Sequence, residues 1–199
     1  MGAAEGRGQQ LISKHARVEW ERRFVIADFP LEANVIRVRR ITDRYITGTN
    51  LRLREMTESE REPVFKLTQK VPEQSSGARQ ELITSIYLTQ QEFRLLAQLP
   101  AGTLTKTRHS VPPFGIDVFE GELSGLVLAE AEFDSAVEAS KLAIPPYVVH
   151  EVTNDRRFSG GSLVSASRTE LLNWLAEYGI KVDRAAERLL PDEADKVQV

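Results

Sequence analysis

The sequence predicts an α+β protein that is mainly antiparallel β. Three observations carry that prediction. Ten segments alternate apolar and polar residues with period two and are rich in β-branched and aromatic residues. Turn signals separate them at regular intervals. Helix signatures are few, and the best of them carry apolar faces that need a surface to pack on.

The strand segments, in order, are VEWERRFVI, ANVIRVRRI, DRYITG, TNLRLREM, VFKLTQKV, RQELITSIYL, GTLTKTRHSV, FGIDVFEG, GLVLAEAEF and HEVTNDRRF. Gly48, the stretch from Glu73 to Gly77, Pro112-Pro113 and the stretch from Gly121 to Gly125 punctuate them. Thr89-Gln90-Gln91-Glu92 reads as a capping box opening a helix through FRLLAQL, closed by Pro100. A second box, Ser167 to Glu170, opens LLNWLAEY, with Gly179 as its stop. Asp134 is expected to cap a short helix through SAVEASKLA that ends before Pro145-Pro146. Residues 1–17 read as a flexible lead-in, 18–180 as one domain, and 181–199 as a tail or marginal helix.

Composition narrows the function classes. The chain has 199 residues, 41% hydrophobic and 28% charged, as in a soluble globular protein. A net charge of −3 argues against a general binder of nucleic acid or of membrane surfaces. With no cysteine, disulfides, thiol catalysis and cysteine-ligated metals are excluded. No apolar run approaches the roughly 20 residues that span a bilayer, and the first residues lack the apolar core of a signal peptide. A cytoplasmic location is the expectation.

The polar strand faces hold paired charges. Side chains two apart on a strand share a face. Glu19 therefore joins Glu21, and Glu130 joins Glu132. Arg37 joins Arg39, Arg52 joins Arg54, Lys66 joins Lys70, and Lys106 joins Arg108, while Asp117 stands alone. Two arrangements fit this pattern. One is an antiparallel sheet with an apolar face on a core and a charged face in water. The other is a closed barrel with charges lining its lumen and helices covering its apolar exterior.

The order of these segments resembles the CYTH family, the triphosphate tunnel metalloenzymes. VEWERRF is similar to its Glu-x-Glu-x-Lys signature, with Arg23 in the lysine position. DRYITGTNLRLRE, FKLTQK, LTKTRH, IDVFEGELSGLVLAEAEF and EVTNDRRFSGGSL resemble the later segments in family order, over roughly residues 18 to 164. The resemblance implies a closed eight-stranded tunnel barrel with helices packed outside, and a metal-dependent hydrolase of triphosphate-containing compounds. Inorganic triphosphate needs only the charged lumen and is the first expectation. Thiamine or nucleoside triphosphates, an adenylyl-cyclase reaction, and a non-catalytic polyphosphate or nucleotide sensor are the alternatives.

The resemblance also implies roles. Glu19, Glu21, Glu130 and Glu132 would hold a divalent cation, Mg²⁺ or Mn²⁺, since hard cations take oxygen ligands. Arg23, Arg52, Arg54, Lys66, Lys70, Lys106 and Arg108 would bind the polyphosphate. Asp117, Glu130 and Glu132 are the catalytic candidates around an attacking water. The expected partner is a triphosphate-bearing small molecule, with a homodimer open and no nucleic acid or membrane. Other features read plainly. FSGGS lacks the Gly-Lys-Ser/Thr of a phosphate loop and reads as a turn. His109 points away from the charged face, Trp20 and Trp174 read as packing residues, and Arg156-Arg157 either reach phosphate or form a solvated turn. The last helix is expected either to plug one tunnel mouth or, more simply, to pack outside the barrel.

Overall fold

A computed structural model describes residues 16–72 and 79–182 of the chain. The lead-in up to residue 15, the turn at 73–78 and the tail from 183 lie outside the described residues. Eight strands close into an antiparallel barrel: β1 (Arg17–Ile26), β2 (Arg37–Ile46), β3 (Leu51–Glu58), β4 (Arg61–Pro72), β5 (Arg79–Leu88), β6 (Ala101–Val111), β7 (Phe114–Phe119) and β8 (Val127–Phe133). The strand order is β5-β4-β3-β2-β6-β7-β8-β1, and β1 pairs back onto β5 from Arg17↔Ile83 to Glu21↔Arg79. A short strand β9 (Val148–Glu151) lies outside, against the second half of β1. The closed alternative is therefore the observed one, and β1 is where closure happens: it pairs with β8 along one edge and splits the other between β5 and β9.

Local corrections have local causes. RVRRI and DRYI, from the second and third predicted segments, form one continuous strand, β2, and residues 33–36 lie ahead of it. HEVTNDRRF is a strand only to Glu151. Beyond it the Thr153 hydroxyl accepts from the Arg23 amide at 3.0 Å, replacing a ladder bond, and Asp155 caps a 3₁₀ turn at Arg156–Phe158. Residues 158–162 are not just a turn, because Ser159 caps helix α3 (Gly160–Leu163). Both predicted capping boxes are present, on α1 (Gln90–Leu96) and on α4 (Arg168–Glu177), and Gly179 follows α4 at φ +74°. The short helix α2 (Ala136–Ser140) is capped by Ser135 rather than Asp134, whose amide instead donates to Glu138. The apolar face of α1 stays largely uncovered. Phe93 stacks on Phe65 at 4.6 Å, but Leu95 and Leu99 are exposed.

Two cores result. The outer faces of β1, β7 and β8 (Phe24, Ile26, Ile116 and Ala129) pack under Leu142, Tyr147 and Val148. The other core uses the lumen phase of the strands. Val25, Leu104, Phe119 and Leu128 continue the rows of Arg23, Lys106, Asp117 and Glu130, and pack against Phe158, Leu163, Leu171 and Leu175. The helices lie outside the strand cylinder, and this last group lies across one end of it. No helix among the described residues is long and apolar enough to cross a membrane.

Candidate functional site

A cavity of about 630 Å³ occupies the barrel lumen. Among the described residues, eight basic and five acidic side chains line it. Alternation along β1 aims Glu19, Glu21 and Arg23 inward, and β3 does the same for Arg52 and Arg54. Lys66 and Lys70 come from β4, Glu81 from β5, Lys106 and Arg108 from β6, and Glu130 and Glu132 from β8.

The cations are held from behind. Asp43, 1% exposed, takes a bidentate grip from Arg54 at 2.6 and 2.7 Å and lies 3.5 Å from Arg52. Burial pushes the Asp43 carboxyl up, but Arg54 and Arg52 outweigh it and hold the group far below the usual carboxylate range. Asp117 is wholly buried and accepts from Arg108 at 2.6 Å on each oxygen, and from Lys106. Sequence reading missed Asp43. Hairpin counting could have found it, since the four-residue turn after Ile46 sets Asp43 directly opposite Arg54. Glu81 was also missed. It pairs with Lys70 at 3.0 Å, but its face of β5 otherwise shows Ile83 and Ser85, so no charge pattern marks it.

The acidic residues differ among themselves. Arg23 Nε donates to Glu130 at 2.9 Å, Nη1 to the Phe158 carbonyl at 2.8 Å, and Nη2 to Glu21. Burial opposes the Arg23 charge, yet Glu21 and Glu130 hold it above its ordinary value. Glu130 also accepts from Arg108. Burial pushes Glu130 up, but Lys106, Arg23, Arg108 and Lys70 together hold it well below the usual range. Glu19 is raised by burial, which outweighs Lys70, with Glu132 and Glu21 adding repulsion. Glu132 has no hydrogen bond or ion pair with any described residue. No group of three or more His, Cys, Asp or Glu side chains suited to a metal occurs among the described residues.

Two of the lining cations carry a donor without a hydrogen bond among the described residues. Lys66 has no hydrogen bond or ion pair among the described residues, and burial with Arg52 and Arg54 nearby lowers its pKa. Arg52 Nε is buried without a hydrogen bond. His109 stacks on Phe29 at 4.5 Å, away from the lumen as expected. Arg157 pairs with Asp155 and Glu177 rather than entering the site.

The segment 159–162 contributes more than a turn, because all four residues line the cavity. A Cβ on Gly160 would meet the Tyr45 hydroxyl at 1.8 Å, and Tyr45 lines the cavity together with Arg52. Gly160→Ala is therefore expected to cost about 1–3 kcal/mol by overpacking. Urea unfolding would measure it, with Tyr45→Phe in the same background recovering part of the loss.

No family model matches the chain. It is 34% identical over 156 residues to an inorganic triphosphatase from Nitrosomonas europaea, across 73% of this chain and 95% of that protein. Among solved structures, the crystal structure of an inorganic triphosphatase superposes with a TM-score of 0.49 at 26% identity, covering 74% of this chain and 95% of the other. A conserved hypothetical protein from Pyrococcus furiosus gives 0.44 at 12% identity, covering 82% and 91%.

Proposed function

The chain belongs to the same family as the Nitrosomonas europaea inorganic triphosphatase, and on that premise we propose that it hydrolyses inorganic triphosphate inside the barrel. The observation that carries this reading is the closed lumen itself. Arg52, Arg54, Lys106 and Arg108 are held by two buried aspartates, while Lys66 keeps its donors for the cavity. Such a chamber is built for an anion of several charges, with arginine forks and lysine point charges spread along it.

Arg52, Arg54, Lys66, Lys70, Lys106 and Arg108 neutralise the phosphates in this reading. Phosphoryl transfer asks for little covalent work, so positioning and charge stabilisation are what these residues supply. Water attacks the terminal phosphorus, the bridging P–O bond breaks, and orthophosphate and pyrophosphate form. Glu130 and Glu132 orient that water. Asp117 differs from the expectation: enclosed, with both oxygens on Lys106 and Arg108, it acts as a positioning residue rather than meeting the water.

A divalent cation, Mg²⁺ or Mn²⁺, belongs to the proposal. The acidic wall offers hard oxygen donors, since Glu19, Glu21, Glu130 and Glu132 line one cavity. Glu19 and Glu132 would hold the cation, with Glu21 and Glu130 beside them. Once bound, it supplies charge neutralisation and polarises a phosphate oxygen or water.

Phosphate release from inorganic triphosphate, with Mg²⁺ or Mn²⁺, tests the reading. Wild type is expected to turn over and the Glu19→Ala/Glu21→Ala double variant to lose that turnover. ATP and thiamine triphosphate run alongside rank the substrates. Tight binding of triphosphate without turnover would instead make the protein a sensor.

A further inference from the structure

Of the lumen carboxylates, Glu21 and Glu130 share one fixed cation. Arg23 stands opposite Glu130 on neighbouring strands and two residues from Glu21 on its own strand. Three of its N–H donors are spent on Glu130, Glu21 and the Phe158 carbonyl, so the guanidinium is fastened to β1, to the neighbouring β8 and to the segment after β9. An arginine in a rigid fork stays charged and cannot drift as a lysine ammonium can. Glu130 takes further charge from Arg108, and Glu21 lies 4.0 Å from Lys70.

Glu19 and Glu132 are placed differently. The cation contacts of Glu19 are long, 3.5 Å to the exposed Arg17 and 3.9 Å to Lys70, whose shorter bond of 3.0 Å goes to Glu81. Glu132 lines the cavity without a hydrogen bond or ion pair among the described residues. The acidic wall is thus divided into a pair that the protein neutralises itself and a pair that it leaves to something else.

We infer, resting on the triphosphatase reading, that Arg23 is a built-in counter-ion standing where a second divalent cation would otherwise neutralise Glu21 and Glu130. The lumen then takes one divalent cation, at Glu19 and Glu132. Two metals can share the charge of an in-line displacement; here a guanidinium takes over part of that work. Arg23 is a positioning residue in this scheme, because it acts on the reaction through the two carboxylates it holds.

The test is a titration of the full chain with Mn²⁺ alone at neutral pH, free Mn²⁺ being read by its electron paramagnetic resonance signal. Wild type should bind one equivalent. Glu132→Gln should weaken that binding by about tenfold or more, the scale on which changes at a metal site act, while Glu21→Gln should leave it in place. Arg23→Met should admit a second equivalent. Should Arg23→Met fail to fold, the contrast between Glu132→Gln and Glu21→Gln still decides. Two equivalents in wild type, none, or equal weakening by both glutamine variants would overturn the inference. Phosphate release on the same samples separates the two readings. Turnover with two Mn²⁺ bound sinks the counter-ion role alone, whereas no turnover and no Mn²⁺ sinks both.

Discussion

Replacing Asp117 with alanine is expected to destabilise the protein by about 3–5 kcal/mol, the cost of removing one partner from a buried ion pair. Asp117 is wholly enclosed, with Lys106 Nζ on one oxygen and the Arg108 guanidinium across both. Alanine would leave two cations facing each other inside the barrel, where burial already disfavours the charge on Lys106. The chain would respond by releasing the Lys106 proton, by admitting water or by repositioning Lys106 and Arg108, and each response changes the cationic wall. Asparagine keeps the shape but not the charge, so it should fall between alanine and wild type. Urea unfolding at neutral pH measures the effect. A loss below about 1 kcal/mol, typical of an exposed pair, would show that Asp117 is not the counter-ion described above. Binding of triphosphate should weaken in the same order, alanine more than asparagine.

The second large effect depends on pH. Asp43 is 1% exposed and lies under Arg54 and Arg52. Its folded carboxyl is held far below the ordinary value of 3.8. A group depressed on folding contributes stability that is complete above its unfolded pKa and fades as pH falls below it. Wild type should therefore exceed Asp43→Asn by about 3–5 kcal/mol at neutral pH. That gap should narrow once the pH drops below about 4, as the unfolded chain begins to take up the proton. Unfolding free energies at a series of pH values check the sign directly. A gap that stays constant from neutral to strongly acid solution would mean that Asp43 is not the titrating anchor of Arg54.

Both effects come from residues that stand behind the lining. Sequence reading found the lining itself with some success, because the phase of a strand is a local property. Glu19 with Glu21, Arg52 with Arg54, Lys66 with Lys70, Lys106 with Arg108 and Glu130 with Glu132 all line the same cavity. The helix caps at Thr89 and Ser167 were legible for the same reason, since a capping box closes within four residues. The switch from strand to 3₁₀ turn after Glu151 was not. It depends on Thr153 reaching the backbone of Arg23, 130 residues earlier in the chain.

Period-two alternation and capping act over a few residues, so most strands, the face on which each charge lies and the two capped helices follow from the order of residues alone. Which charges meet follows from how distant strands pair. Closure of β1 onto β5 and β8 turned a solvent-facing pattern into a lumen, set Arg23 between Glu21 and Glu130, and left Glu132 without a partner among the described residues. It also decided that the apolar run through Leu171 and Leu175 packs across an end of the barrel, while Leu95 of α1 and Leu99 just after it stay exposed. Pairing across the barrel is non-local, and the same alternation is compatible with an open sheet or a closed one. The register that joins distant strands is what converts a list of charges into a site.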